Sequence, residues 1–300
     1  MSVLIDATTR LAGVIGWPLE HTLSPAMHNA AYEALALDWA YVPLALADAD
    51  DLPALVRALR AVSFVGFNVT MPYKARMLEL CDEVAIQARL AGSVNAVHIR
   101  DGALIGYNTD GRGLLESLSR DLGFDPAGRR VVVLGSGGAA GAAVVALMLA
   151  KASHVSVAAR RLEPAQRIIE RVAEYAGDTD LGAVRLDETS DGIIESADLI
   201  VNATPLGMRE DDPLPIDPER IGSGQSVYDV IYSRDPTALV ASARLRGAKG
   251  CTGLGMLVGQ GAISIEIWGG FGAASVPREA MRTAAESALR ARTDASVEVI

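Results

Sequence analysis

The sequence predicts an α/β architecture in two domains, each built on a mainly parallel sheet. Three observations carry this expectation. Strand-like and helix-like segments alternate from the start, the pattern of parallel sheets covered by helices. A length of 300 residues, half of them apolar, is enough chain for two cores. Finally, residues 131 to 150 read as a short β-branched run, clustered glycines and an alanine-rich helix.

The elements follow in order. LAGVIG is the first strand, and HTLSPAMHNAAYEAL opens a helix with Ser24 as N-cap and Pro25 at the first helical position. WAYVPLAL is the second strand, DADDLPALVRALRA a helix, and SFVGFNVT the third strand, with the next helix starting near Pro72. SVNAVHIRDGALIGYNTD reads as a hairpin, because Asp101-Gly102 is a two-residue turn between alternating runs. GRGLLESLSRDLGF is helical, and the polar turn DPAGRR leads into the glycine-rich unit. HVSVAAR, DLIVNAT and SVYDVIY are later strands, and the tail from Gly253 is helical and expected to return to the first domain. The expected domains are therefore 1–110 with 253–300, and 111–252.

Composition narrows the function. A net charge of -10 argues against nucleic acid or an anionic membrane as partner. The uncharged stretch 131–150 is long enough to span a bilayer, but its glycine punctuation reads as strand, turn and helix. The N-terminus has no basic, apolar and small-residue series of a secretory leader, so a cytoplasmic location is expected. The sequons at Asn68 and Asn202 then need another explanation. Cys81 and Cys251 lie far apart in no metal spacing and suit reduced core thiols. The four histidines show no ligand spacing, so no metal is expected.

The chemistry gathers at strand ends. In GSGGAAG, Gly135 permits a tight turn, Gly137 and Gly138 let backbone approach a pyrophosphate, and the following helix offers amide donors, as in a Rossmann dinucleotide site. The next strand ends in VSVAARR. There Arg160 and Arg161 replace the acidic residue that would read an NAD ribose, which favours NADP over NAD; an ordinary pair of surface arginines is the alternative. Lys74, just past a strand that carries Asn68 and Thr70, is a candidate proton donor or acceptor, or else a solvated lysine. Asp110, ending GYNTD, is a candidate partner, and Asn68, Asn95 and Thr70 are candidates to bind hydroxyls. Thr22 and Ser24 precede a helix and could hold a carboxylate, although Ser24 could equally only cap it. Gln260 is either a buried amide satisfied by backbone or a ligand contact. Met256 and Trp268 read as core.

Taken in order, HTLSPAMHNAA, NVTMPYK, GSVNAV, GYNTDGRG, GSGGAAGAA, NATPLGM, VYDVIYS and GLGMLVGQGA closely resemble the shikimate dehydrogenase family from about residue 11 to 270. The resemblance implies a reversible hydride transfer between NADP(H) and the shikimate/3-dehydroshikimate pair, a step of aromatic amino-acid biosynthesis. It implies Lys74 as acid/base with Asp110 as its partner. It also implies Thr22, Ser24, Asn68, Thr70, Asn95, Tyr232 and Gln260 as substrate contacts. On the cofactor side it implies Gly135, Ser136, Gly137, Gly138 and Ala139 in the pyrophosphate loop, with Thr204, Gly253 and Met256 near the nicotinamide half. Two motifs depart from the family pattern. Thr22 stands for the first serine of S-x-S, and N-R-T becomes Ala159-Arg160-Arg161, which keeps the arginine and loses the asparagine. These departures leave a quinate- or aminoshikimate-using relative, with NAD, as the rival expectation, and a non-catalytic ligand-binding regulator as a rival of another class. A monomer or homodimer is expected.

Overall fold

The computed structural model describes residues 5–62, 64–187, 190–209, 211–272 and 275–297. It divides into two compact units, one of Met1–Arg89, Ser93–Thr109 and Val258–Ile300, the other of Leu90–Gly92 and Asp110–Leu257.

The first unit runs β1 (Arg10–Gly16), α1 (Ser24–Ala34), β2 (Trp39–Ala45), α2 (Leu52–Arg60), β3 (Phe64–Val69), α3 (Met77–Leu80), β4 (Glu83–Val84), α4 (Ile86–Ala91, of which Leu90 and Ala91 belong to the second unit), β5 (Ala96–Arg100) and β6 (Ala103–Tyr107). Its sheet has the order β2-β1-β3-β5-β6-β4. Only β5 opposes the others, so the sheet is mainly parallel. The β5–β6 hairpin turns where expected, with Asp101 and Gly102 both left-handed at φ 52° and 77°. β3 is buried along its whole length, as befits an interior strand covered on both faces. Ile15, Val56, Phe67, Val69, Tyr73 and Met77 build the core around it.

One boundary differs from the sequence expectation. After β3 the helix begins at Met77 rather than near Pro72, and residues 71–76 are turns. Tyr73 is drawn into the core with its hydroxyl donating to Leu46 O, and Arg76 donates to Ala49 O. These anchors hold the segment in successive turns and keep Lys74 out of a regular helix.

The second unit comprises α5 (Asp110–Leu122), β7 (Arg130–Leu134), α6 (Gly138–Leu149), β8 (His154–Ala159), α7 (Leu162–Val172), β9 (Asp180–Arg185), α8 (Asp191–Glu195), β10 (Leu199–Asn202), β11 (Ser226–Asp229), α9 (Ala238–Leu245) and β12 (Lys249–Thr252). Every strand pair in it is parallel, in the order β12-β11-β10-β7-β8-β9. That is the doubly wound order of dinucleotide-binding sheets, with the switch point between β7 and β10. The uncharged stretch 131–150 folds as β7, a turn and α6. Among the described residues no helix is long and apolar enough to cross a membrane. β4, β9 and β12 have no counterpart in the sequence reading. All three are sheet edges, and an edge strand does not need the continuous apolar run that marks a central one.

The chain continues through α10 (Leu254–Gly269), whose residues from Val258 onward belong to the first unit, and ends with α11 (Arg278–Val297). At Gly66 an added Cβ would lie 2.3 Å from Trp268 Nε1 and 2.4 Å from Val97 O. A bare glycine there lets α10 come down onto β3.

Candidate functional site

In the first unit the site is built around Asn68, the one polar residue of β3. Tyr41 OH donates to Asn68 Oδ1 at 2.8 Å, and Asn68 Nδ2 donates to Asn95 O at 3.1 Å and to Ser264 Oγ at 2.9 Å. A carbonyl can only accept, so the Asn95 contact fixes which end of the Asn68 amide carries nitrogen. Asn95 is held in the same way. Its Oδ1 accepts from Thr109 N at 2.7 Å, and its Nδ2 donates to Thr109 Oγ1 at 2.9 Å and Gln260 Oε1 at 3.3 Å. Gln260, Ser264 and Trp268 recur at four-residue intervals, which places them on one face of α10. Each reaches the sheet: Gln260 to Asn95, Ser264 to Asn68, and Trp268 Nε1 to Val97 O at 2.9 Å.

Beneath this set, the buried His28 ring stacks on Tyr41 with centroids 4.0 Å apart and Nδ1 2.9 Å from Ser24 O. Burial lowers the His28 pKa to about 4, against the opposing effect of the Ser24 carbonyl, and Nε2 has no hydrogen-bond partner. Burial likewise pushes the Tyr41 hydroxyl well above its ordinary range, so it is a proton donor to Asn68 at any working pH.

The remaining expected residues of this unit lie nearby in sequence and differ in detail. Ser24 is the first residue of α1 rather than its cap: Leu23 holds that position and no side chain caps the helix. The Ser24 side chain is in hydrogen-bonding reach of the Tyr41 hydroxyl and opposes the rise in its pKa. Thr22 Oγ1 accepts from Ser24 N at 3.3 Å. Thr70 N donates to Ile15 O at 2.9 Å, and Lys74 is half-buried, its carbonyl accepting from Val94 N at 2.9 Å. Asp110 is the buried first residue of α5 and belongs to the second unit.

In the second unit the glycine turn has the form a phosphate site needs. Gly135 adopts φ 104°, and a Cβ there would sit 3.0 Å from Ala203 O. Gly137 is exposed with nothing within 4 Å of an added Cβ, so backbone is open to a ligand. α6 starts at Gly138 with no side-chain cap, so the positive end of the helix faces the turn. Ser136 and Ala139 are half-buried in the same turn. Gly141, one turn on, lets α6 pass Ala91 O, which an added Cβ would approach to 2.2 Å. At the end of β8, Ala159 is buried while Arg160 and Arg161 are exposed. Glu163, the nearest carboxylate in sequence, is ion-paired with Arg167 on α7. This edge can therefore take a dinucleotide pyrophosphate on backbone amides and an extra phosphate on guanidinium groups.

On the other side of the switch point, Asn202 and Asp229 end β10 and β11. Asn202 Nδ2 donates to Asp229 Oδ1 at 3.0 Å, Thr237 Oγ1 donates to Asp229 Oδ2 at 2.8 Å, and Thr204 Oγ1 donates to Asn202 Oδ1 at 2.7 Å. Burial raises the Asp229 pKa to about 6, opposed by the hydrogen bonds from Thr237, Ile231 N and Asn202. The second sequon asparagine thus has a structural task, tying the Thr204 loop to β11. Gly253 is buried where an added Cβ would meet Val230 O at 2.1 Å, Met256 is core, and Tyr232 is half-buried. Among the described residues, no group of three or more His, Cys, Asp or Glu is placed to hold a metal.

Tyr41, Thr109, His28 and Ser264 are polar members of the first-unit set that the sequence reading did not single out. Ser264 carried a usable signal, four residues beyond Gln260 on one helical face. Tyr41 carried none, because an aromatic within a strand reads as core.

Residues 14–97 match the model of the shikimate dehydrogenase substrate binding domain. A relative from Geobacter sp. (strain M21), named NADP(+) shikimate dehydrogenase, is 45% identical, covering 96% of this chain and 97% of its own. The crystal structure of shikimate 5-dehydrogenase from Thermus thermophilus with NADP(H) and shikimate superposes with a TM-score of 0.83 at 33% identity, over 94% of this chain and 100% of that one. Quinate dehydrogenase from Corynebacterium glutamicum in complex with NAD gives a TM-score of 0.83 at 30% identity, over 92% and 98%. With identity of this level running through both units, the chain belongs to the shikimate dehydrogenase family.

Proposed function

We propose that the protein is an oxidoreductase that reversibly reduces 3-dehydroshikimate to shikimate with NADPH, the first unit binding the substrate and the second the dinucleotide. The observation that carries this reading is the neutral set around Asn68. A polyhydroxylated ring needs fixed amides and hydroxyls to discriminate its hydroxyl positions, and buried ones do so because a mismatched analogue leaves them unpaired. With both Asn68 donors engaged within the protein, that residue meets a substrate hydroxyl through the remaining acceptor site of Oδ1. Asn95, Gln260, Thr70 and Tyr232 complete the hydroxyl contacts, and Thr22 and Ser24 hold the carboxylate.

The turn of residues 71–76 presents Lys74 at the end of β3. Its ammonium delivers a proton to the carbonyl oxygen during reduction, and its amine takes the proton back during oxidation, with Asp110 as its carboxylate partner. When bound, NADP(H) supplies or accepts the hydride. Gly135 to Ala139 hold the pyrophosphate, Arg160 and Arg161 the 2′-phosphate beside Ala159, and Thr204, Gly253 and Met256 line the nicotinamide half. The protein works in the cytoplasm on small molecules, as a monomer or homodimer.

Similarity to an NAD-bound quinate dehydrogenase keeps one rival specific. Initial rates of oxidation of shikimate and quinate, each with NADP and NAD, separate the two. Shikimate with NADP is the expected best pair. Preference for quinate or NAD would transfer the assignment, and absence of turnover with every pair would favour a ligand-binding regulator.

A further inference from the structure

Arginine density at the nucleotide edge of the second unit does not stop at β8. β8 and β9 are parallel with Ala159 opposite Arg185, and Leu186 N donates to Ala159 O at 3.0 Å. Residues in register across a parallel pair point to the same face of the sheet. Along β9 the alternation is plain: Leu181 and Ala183 pack into the core that holds Val157, Ala159, Ala165 and Ile168, whereas Val184 and Leu186 pack into the core on the opposite face. Arg185 therefore rises on the side covered by α7, one step beyond the last covered position. Its side chain is 62% exposed.

Its local ion partner holds it weakly. Asp187 Oδ2 is 3.9 Å from Arg185 Nε in an exposed pair, a geometry that contributes little. Glu163, in the first turn of α7, is paired with Arg167. Ala159, in register with Arg185 and just before Arg160, is itself buried in the core and carries only a methyl group.

From this placement we infer that Arg185 is a specificity-determining residue that acts with Arg160 and Arg161 to recognise the 2′-phosphate of the dinucleotide. The inference rests on the nucleotide reading of the second unit. An adjacent-strand guanidinium approaches a phosphate above β8 from a different direction than the two arginines of the β8–α7 turn, so their charges and donors add without crowding.

Equilibrium titration of the full chain with adenosine 2′,5′-bisphosphate and with adenosine 5′-monophosphate tests this without turnover. Arg185→Gln is expected to weaken the bisphosphate about five- to tenfold and the monophosphate less than about twofold, with Arg185→Lys recovering part of the loss. Arg160→Gln serves as the reference for the β8–α7 turn. Equal losses for both probes, or no loss for either, would overturn the role of Arg185. If Arg160→Gln removed the preference for the bisphosphate while Arg185→Gln did not, the inference would fail and the nucleotide reading would stand. If the unsubstituted protein bound both probes equally, the 2′-phosphate reading itself would fail and this inference with it.

Discussion

Around Asn68 the first unit keeps Tyr41, Asn95, Thr109, Gln260 and Ser264 buried and bonded to one another, with no formal charge among them. The nucleotide edge of the second unit is the reverse: a bare glycine turn with exposed arginines beside it. The difference follows from what each is proposed to read. Hydroxyl positions on a small ring are distinguished by donors and acceptors that cannot move, whereas phosphates are attracted by charge and by backbone amides that need no packing behind them.

The largest test of this contrast is Lys74→Ala. It is expected to lower kcat by about 10²- to 10⁴-fold while the KM for shikimate changes only a few-fold, since the amide set is untouched. Unchanged turnover would remove Lys74 from the chemistry.

Next comes pH, which should act on the two units with opposite sign. His28 has its folded pKa depressed to about 4 from 6.5, so its contribution is fully present above about pH 6.5 and is lost as pH falls toward 4. Asp229 has its folded pKa raised to about 6 from 3.8, so its contribution is present below about pH 3.8 and is lost as pH rises through 6. Each amounts to about 3 kcal/mol, at about 1.4 kcal/mol per pH unit. Hydrogen-exchange protection, corrected for intrinsic rates, is expected to fall for α1 and β2 and to rise for β10 and β11 between pH 6.5 and 4. Parallel changes in the two units would contradict this.

Asn68→Ala and Gly137→Ala form a third pair. The first removes one buried hydrogen bond from each of Tyr41 OH, Asn95 O and Ser264 Oγ and is expected to cost about 2 kcal/mol of stability by denaturant titration. The second places a methyl in open space, so stability should move by less than about 0.5 kcal/mol while dinucleotide affinity falls. The smallest effect is expected from Arg167→Ala. It removes an exposed i,i+4 pair worth about 0.3 kcal/mol and frees Glu163, so NADP affinity should weaken by less than about twofold.

Much of this organisation was legible in the sequence, for reasons that differ between residues. Asn68, Asn95 and Gln260 stand out as polar residues in apolar runs, and a buried amide must find partners, so their convergence was foreseeable in kind. Asp101-Gly102 and the glycine turn were legible because backbone conformation restricts residue type there. Tyr41 and Thr109 were not, since their partners lie across the sheet and no local pattern marks them. The start of α3 was misjudged because Tyr73 and Arg76 are anchored by Leu46 and Ala49, residues some 27 positions upstream. Arg185 sits on an edge strand that the sequence reading did not identify, and only the register with Ala159 brings it beside the other arginines.

The turn that carries Lys74 also has an optical consequence. Trp17 N donates to Met71 O at 3.0 Å, and Trp17 is 49% exposed, whereas Trp39 and Trp268 are 6% and 4% exposed. Of the three tryptophans in the chain, the one reachable by an aqueous quencher is thus bonded to the lysine turn itself. Collisional quenching of intrinsic emission by iodide or acrylamide becomes a label-free reporter of that turn, read against two shielded indoles that supply a constant background.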